Sequence, residues 1–259
     1  MLAKIVTYNI HRCIGTDGRY DAPRVADVLH GLGPDIVALQ EVENRGDATH
    51  DSLQLDYLAA RLDMTAVPGL RIVRHWKEYG NALLTRFPVL ATELHNVSRR
   101  WREPRGVIDA TLGLPTGPLR VLATHLGLGR LERRFQTLQI ARLIDAGDPL
   151  VPCVVLGDMN EWFGYSRHLA WLNRRLGVGA AVASFPSRWP FFKLDRIWLR
   201  PAVALEDVRV CATPLSRVAS DHLPLCATIN LAKLGAETVG ESICADAEVP
   251  LESRPSPGG

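Results

Sequence analysis

Four mostly apolar runs stand out along the chain, and each is followed within a few positions by polar side chains. The runs read KIVTY, DIVAL, LRVLAT and PCVVL. Short continuous apolar runs bounded by polar or glycine residues are typical of strands buried inside a sheet. The pattern therefore predicts buried strands that carry polar groups at their ends.

Three segments between these runs show the spacing of an amphipathic helix. They are residues 24–32, residues 53–62 and residues 131–146. In the third segment, Leu131, Phe135, Leu138 and Ala141 recur at helical intervals, and we predict that they face inward.

Two more strands, GNALLTR and PVLATEL, are predicted to pair with each other across a turn at Phe87-Pro88. Strands that alternate loosely with helices indicate an α/β protein with a mixed sheet.

The amino-acid composition agrees with this pattern. Hydrophobic content of 47% and charged content of 22% are ordinary for a soluble globular protein. The chain begins MLAKIVTYNI, without a signal peptide, and no apolar run approaches the roughly 20 residues needed to span a bilayer. Five cysteines without metal-ligand spacing fit reduced thiols. These features predict a cytoplasmic protein.

Charge is unevenly distributed along the chain. Beyond Lys233 there are five acidic residues and one arginine, a net charge of −4, so the total of +2 leaves +6 on the preceding body. The tail also lacks aromatic residues and apolar periodicity. We therefore predict one folded domain over residues 1–233 and a flexible acidic tail over residues 234–259. The modestly basic body suits an anionic substrate without establishing nucleic-acid binding.

Polar residues at or just beyond the strand ends are the candidates for chemistry. Strand ends from distant parts of a chain meet at one edge of a sheet, so we expect these side chains to lie together. Oxygen-rich clusters bind hard cations such as Mg²⁺, and histidines added to them suggest hydrolysis. The eight residues are Asn9, Glu41, His125, Asp158, Asn160, Asp195, Asp221 and His222.

The order of the motifs TYNI, LQEV, THL, GDMN, LDRIW and SDHLPL resembles that of the endonuclease/exonuclease/phosphatase superfamily, the DNase I-like hydrolases. The resemblance runs from about Lys4 to Ile229 and is closest to small bacterial members, which carry a segment like FPSRWPFFKLDRIW. It implies a four-layer αββα sandwich, in which two mixed sheets pack face to face with helices outside. The active site would lie at one open edge.

Three residues are candidate ligands of the cation. Glu41 ends an apolar strand, where a carboxylate is costly without a cation or hydrogen-bond donors. Asn9 offers an amide oxygen, although an Asx-turn that closes the strand is the alternative. Asp221 is expected to project differently from its neighbour His222 and to reach the cation. The alternative to metal binding by Glu41 is a solvated acid at the end of the strand.

The resemblance implies that Asp158 orients or deprotonates the attacking water. Asp195 and His222 are a candidate dyad, because a carboxylate fixes the tautomer of an imidazole and raises its basicity. Whether that imidazole is base, acid or transition-state stabiliser stays open.

His125 is the second catalytic histidine, with a core histidine as the alternative. The DNase I, neutral sphingomyelinase, inositol-polyphosphate 5-phosphatase and deadenylase branches carry a histidine here, whereas apurinic-site endonucleases generally lack one. In DNase I-like members it pairs with an upstream glutamate, for which Glu78 is the best match.

Substrate contacts are assigned to four residues. The resemblance implies that Asn160 holds a phosphate oxygen, on the same side as Asp158 if the segment stays extended. His11 would share a face with Asn9 if that strand persists. Arg105 can bind phosphate through its guanidinium fork. Trp162 is either an aromatic wall for a base or lipid chain, or packing at the rim.

Together these residues predict a phosphoric-ester hydrolase that depends on Mg²⁺, with Mn²⁺ able to substitute. A phosphodiesterase acting on nucleic acid or a phospholipid headgroup is favoured. The alternatives are a phosphomonoesterase for inositol or sugar phosphates and a non-catalytic module that binds phosphate esters. No stable protein partner is evident from the sequence.

Overall fold

Two β-sheets lie face to face, with helices on both outer faces. The computed structural model describes residues 1–45, 53–69, 72–74, 77–163 and 166–235, with only the backbone described for residues 44–45, 72–74 and 77–78. The strands are numbered in chain order across both sheets, β1 to β12, and the helices likewise, α1 to α5.

The first sheet has seven strands and contains both ends of the folded region. It comprises β1 (Leu2–Asn9), β2 (Ile36–Arg45), β3 (Thr65–Pro68), β4 (Ile72–Arg74), β5 (Lys77–Thr85), β11 (Leu205–Val210) and β12 (Leu225–Asn230). The order is β11-β12-β1-β2-β5-β3, and β4 also pairs with β5. β1 and β2 run parallel, which makes the sheet mixed.

The second sheet has five strands in the order β10-β9-β8-β7-β6. It comprises β6 (Val89–Asn96), β7 (Gly106–Leu114), β8 (Gly117–His125), β9 (Cys153–Asp158) and β10 (Asp195–Arg200). β8 and β9 are its parallel pair.

Three buried clusters separate four layers. The central cluster joins the two sheets and includes Ile5, Leu83 and Val121. The second packs the outer face of the first sheet against α1 (Ala22–Leu32) and α2 (Gln54–Leu62). The third packs the second sheet against α3 (Arg130–Ala146) and α4 (Leu169–Leu176). A short helix, α5 (Ser216–Ala219), precedes β12. The predicted αββα sandwich is confirmed.

The predicted pairing of GNALLTR with PVLATEL is wrong. These segments form β5 and β6, which belong to different sheets. The chain crosses between the layers at Phe87-Pro88, because each strand finds its partners elsewhere: β5 pairs with β2, and β6 pairs with β7.

The predicted inner face of α3 is also wrong in part. Ala141 is buried and Leu138 is half-buried, but Leu131 and Phe135 are 64% and 39% exposed. The first turns of α3 instead bury polar residues, because they cover a loop whose backbone needs partners. Gln136 accepts from Gly127 N at 2.8 Å, and Arg133 donates to Leu128 O. Tertiary hydrogen bonding overrides the apolar periodicity here.

The predicted domain boundary at residue 233 stays a prediction. Leu234 is buried in the central cluster, one residue past it. The remainder of the predicted tail, from residue 236, lies outside the described residues. No helix of the described part is long and apolar enough to cross a membrane.

Candidate active site

Both sheets contribute strand ends to one edge of the sandwich. Asn9 ends β1 and Glu41 lies in β2, while His125 and Asp158 are the last residues of β8 and β9. Asp195, the first residue of β10, pairs in register with Asp158. His222 follows in the loop before β12. Residues more than 200 positions apart therefore meet, as predicted from the strand ends.

Asn9 links the two sheets through its side-chain amide. Its Nδ2 donates to Glu41 Oε1 at 3.1 Å and to Asp158 Oδ2 at 3.2 Å. Glu41 lies where the pairing of β2 with β5 shifts register, and its φ of 59° is left-handed. Such bulges re-aim a side chain beside a site. Here the bulge lies at Glu41, whose carboxylate contacts Asn9 at the end of β1.

The predicted Asp195–His222 dyad is formed. Asp195 Oδ2 lies 2.9 Å from His222 Nδ1 and accepts from Ser184 Oγ at 2.5 Å. Asp195 is fully buried. Although burial disfavours the imidazolium, the carboxylates of Asp195, Asp158 and Asp221 raise the pKa of His222 to about 10. His222 is therefore held in its charged form, with Nδ1–H directed at Asp195.

Asp158 stands between the two histidines. Its Oδ1 accepts from Asn160 N at 2.8 Å, and its Oδ2 lies 3.4 Å from His125 Nε2 and 3.7 Å from His222 Nε2. Burial raises the pKa of Asp158 to about 6, with His222 opposing the shift and Asp195 adding to it. A carboxylate with a raised pKa can take up a proton near neutrality.

His125 lies between two donor groups, of which a neutral ring can accept from only one. Arg105 Nη1 lies 3.3 Å from its Nδ1, and Asn160 Nδ2 lies 3.0 Å from its Nε2. Burial, with the charges of Arg105 and His222, holds the pKa of His125 well below its usual value. The ring is therefore neutral. The tautomer that accepts from Arg105 carries its proton on Nε2, which then donates toward Asp158 and cannot accept from Asn160.

The donor set fits a hard divalent cation. Two carboxylates, Glu41 and Asp158, hydrogen-bond to the same Asn9 amide, and carboxylate oxygens are the ligands that such cations prefer. Among the described residues, Asp158, Asp195 and His222 also present potential ligand atoms within 4.8 Å of one another. His222 Nδ1 and Asp195 Oδ2 in that group already contact each other.

Two site predictions rested on extended backbone that does not occur. The strand ends at Asn9, and His11 begins a 3₁₀ turn in which its Nδ1 contacts Ile14 O at 3.1 Å. Asn160 has a left-handed φ of 48°, and its Nδ2 also donates to Leu126 O at 2.8 Å. Asn160 thus lies beside His125, 3.0 Å from its Nε2, and its predicted contact with phosphate stays a prediction.

Three further predicted residues lie at or beyond the margin of this group. Asp221 is partly exposed, and its Oδ1 lies 4.0 Å from His11 Nδ1, so its predicted role as a metal ligand stays a prediction. Trp162 stacks edge-on with Phe185 and Phe192, at 5.6 Å and 4.9 Å between ring centroids. Glu78 belongs to β5, but its side chain lies outside the described part.

Sequence reasoning missed three supporting residues. Ser184 fixes Asp195, and Ser220 Oγ donates to Asn9 O at 2.7 Å and accepts from His222 N at 3.2 Å. Tyr79 lines the same cavity as Arg105, and burial raises its pKa. Ser220 stands directly before the Asp221-His222 pair, which is a usable signal. Ser184 and Tyr79 give none, because only the tertiary fold brings them to the site.

A four-layer sandwich with buried carboxylates, imidazoles and a guanidinium at one edge defines the class of metal-dependent phosphoester hydrolases. The family model described as the endonuclease/exonuclease/phosphatase family matches residues 6–222. The chain belongs to this family.

The chain is similar in sequence to a curated relative and in fold to solved structures. The uncharacterized protein YbhP of Escherichia coli strain K12 is 31% identical over 250 residues, covering 88% of this chain and 96% of YbhP. The structure of D. rerio TDP2 complexed with a single-strand DNA product has a TM-score of 0.67 at 18% identity, covering 88% of this chain and 99% of that one. The Bacteroides thetaiotaomicron VPI-5482 mannosyl-6-phosphatase Bt3783 has a TM-score of 0.66 at 15% identity, covering 88% and 100%. The shared fold thus accompanies different substrates.

Proposed function

We propose that this protein is a Mg²⁺-dependent phosphodiesterase that acts on a nucleic acid or a phospholipid headgroup. The observation that carries the proposal is the placement of Asp158 between a charged imidazole, His222, and a neutral one, His125. Asp158 can accept a proton, and His222 can donate one.

Asp158 acts as the base for the attacking water. Its Oδ1 is held by the backbone of Asn160, and burial raises its pKa to about 6. As the water oxygen bonds to phosphorus, its proton passes to Asp158. When bound, Mg²⁺ held by Glu41, with Asn9 alongside, supplies electrostatic stabilisation of the phosphoryl oxygens.

His222 acts as the general acid. Asp195 holds the imidazolium through Nδ1 and leaves Nε2 directed to the Asp158 side. As the bond from phosphorus to the leaving oxygen breaks, the Nε2 proton passes to that oxygen. Solvent exchange then restores the starting protonation of both residues.

Arg105 and His125 bind the phosphoryl group. Arg105 is buried, and its Nε has no hydrogen-bond partner among the described residues, so it keeps a donor for an oxyanion. A diester carries one negative charge, whereas a monoester approaches two near neutral pH. The carboxylates of Glu41, Asp158 and Asp195 offset most of the positive charge of a divalent cation, Arg105 and the His222 imidazolium, and the small remainder favours a diester.

The test is a panel of phosphate esters assayed with and without EDTA. It contains single- and double-stranded DNA, RNA, sphingomyelin, cardiolipin and inositol phosphates, with bis-p-nitrophenyl phosphate compared against the p-nitrophenyl monoester. We expect turnover of diesters that EDTA abolishes and Mg²⁺ restores. Preference for monoesters would overturn the diester assignment, and hydrolysis that survives exhaustive chelation would remove the metal.

A further inference from the structure

Large exposed apolar side chains lie on segments that adjoin the edge of the sandwich where the candidate active site is found. Trp101 and Trp189 are 89% and 81% exposed, which is rare for tryptophan unless it contacts a partner. Leu128, at 69%, is nearly as accessible. We define the apolar rim as six exposed residues: Trp101, Leu128, Leu131, Phe163, Trp189 and Phe191.

Topology places the whole rim at the edge that carries the site. Trp101 lies between β6 and β7, whose ends Asn96 and Gly106 pair in register. Leu128 and Leu131 follow the end of β8, and Phe163 follows the end of β9. The other two precede β10. Because His125, Asp158 and Asp195 mark the same ends of β8, β9 and β10, the rim extends along that edge of the second sheet.

An aromatic path joins the rim to the catalytic residues. The Phe185 ring lies 4.8 Å from the His222 ring, centroid to centroid, and Trp162 bridges Phe185 to Phe192. Phe192 lies 4.3 Å from the exposed ring of Phe191. An apolar substituent of a substrate can therefore remain against aromatic surface from His222 to the rim.

Exposed charges on the rim loops are almost all positive. Trp101 is flanked by exposed arginines, and the guanidinium of Arg100 lies 5.1 Å from its ring centroid. The acid of these loops nearest to solvent, Glu103, is half-buried and is paired with Arg105 at 2.9 Å. The exposed cations among the described residues of these loops are Arg99, Arg100, Arg102, Arg130, Arg167, Arg188 and Lys193.

We propose that the apolar rim docks on an anionic lipid bilayer and presents the active site to phospholipid headgroups. Tryptophan, phenylalanine and leucine beside arginine are the composition that settles at the boundary of headgroups and acyl chains, with affinity supplied by apolar burial and by attraction to anionic lipid. Bases of single-stranded nucleic acid stack on aromatic rings. The exposed Leu128 and Leu131 suit acyl chains instead. The identification of the headgroup as the substrate rests on the proposed function, whereas docking on the bilayer does not.

The test is sedimentation of the full-length protein with vesicles in EDTA, so that no turnover is needed. Vesicles contain phosphatidylcholine alone or mixed with phosphatidylglycerol. We expect binding to the anionic vesicles and little to the neutral ones. The double variant Trp101→Ala/Trp189→Ala should reduce the bound-to-free ratio at least about tenfold, since each change removes an interfacial anchor. Both side chains are exposed, so the melting temperature should be kept.

The matched control changes exposed apolar residues at the opposite edge of the same sheet. Leu90→Ala/Leu150→Ala should sediment like wild type, because Leu90 is the second residue of β6 and Leu150 shortly precedes β9, both away from the edge that carries the site. Absence of sedimentation with anionic vesicles, or equal losses in both double variants, would overturn the proposal. A rim variant that weakens binding to oligo(dT) while wild type ignores vesicles would assign the rim to nucleic acid instead. Diesterase activity on a soluble ester is scored separately, so either proposal can fail alone.

Discussion

Replacement of Asp195 by asparagine tests the assignment of His222 as general acid. Asparagine preserves the size of the side chain but removes the charge 2.9 Å from His222 Nδ1. That carboxylate is the main group that raises the pKa of His222 to about 10 against the effect of burial. Asp195→Asn should therefore leave a mostly neutral imidazole at working pH, because only the smaller effects of Asp158 and Asp221 remain to oppose burial.

The expected loss follows from the population of the charged ring. With its ordinary pKa of about 6.5, His222 would be charged in roughly a tenth of the molecules at about pH 7.5, and burial lowers that fraction further. Asparagine can also present its amide to Nδ1 and select the wrong tautomer. Together these effects should reduce kcat by about 10²–10⁴-fold, the usual value of a positioned acid or base.

His222→Ala should cost about as much, on the order of 10²–10⁴-fold in kcat. Adding Asp195→Asn to it should cost little more, because two residues that act as a unit are not additive. Asp207→Asn, an exposed change in β11, is the matched control and should behave as wild type.

The assay compares two leaving groups. p-Nitrophenolate departs without a proton, whereas the alkoxide of a natural ester needs one, so both variants should lose more activity on the natural ester than on bis-p-nitrophenyl phosphate. Histidine-selective NMR should show His222 charged at neutral pH in wild type and neutral in Asp195→Asn. Losses that multiply in the double variant, or that are equal for both leaving groups, would refute the acid role and favour Asp195 as a metal or structural ligand.

Glu41→Gln should raise the Mg²⁺ concentration needed for half-maximal rate, because an amide does not neutralise the charge of the cation. The exposed control Glu93→Gln should titrate like wild type. If Glu41→Gln also titrates like wild type, Glu41 is not a ligand. His125→Ala should reduce kcat about as much as His222→Ala, whereas the exposed control His30→Ala should leave kcat unchanged. If His125→Ala also leaves kcat nearly unchanged, His125 has only a packing role. Because burial raises the pKa of Asp158 to about 6 and the base must be ionised, kcat/KM should fall as pH drops through about 6, and a profile without an acidic limb contradicts that role. Deletion of residues 238–259 should leave the melting temperature and turnover nearly unchanged, since that segment lacks apolar positions that could dock; a marked drop in melting temperature would contradict it.

The sequence predicted best those features that depend on strand ends. Apolar runs locate buried strands, and the residues that follow them, such as Asn9, His125 and Asp158, meet because strand ends share an edge. The dyad of Asp195 and His222 was also predictable from the two motifs. The αββα layering came from the order of the motifs, because periodicity alone indicates only an α/β protein.

What the sequence could not predict depends on backbone conformation after the strands and on polar burial. His11 and Asn160 were placed on extended backbone, whereas both adopt left-handed φ. Periodicity pointed Leu131 inward, but the start of α3 buries side chains that bind a loop backbone. Ser184 reaches Asp195 across a hairpin-like return of the chain that no local pattern marks.

The hydrogen bond from Asn9 to Asp158 joins residues 149 positions apart, one in each sheet. Neither half of the chain holds a working set of groups, because His222 completes the arrangement and enters late in synthesis. The arrangement of these groups is therefore complete only after synthesis has passed His222 and both sheets have docked.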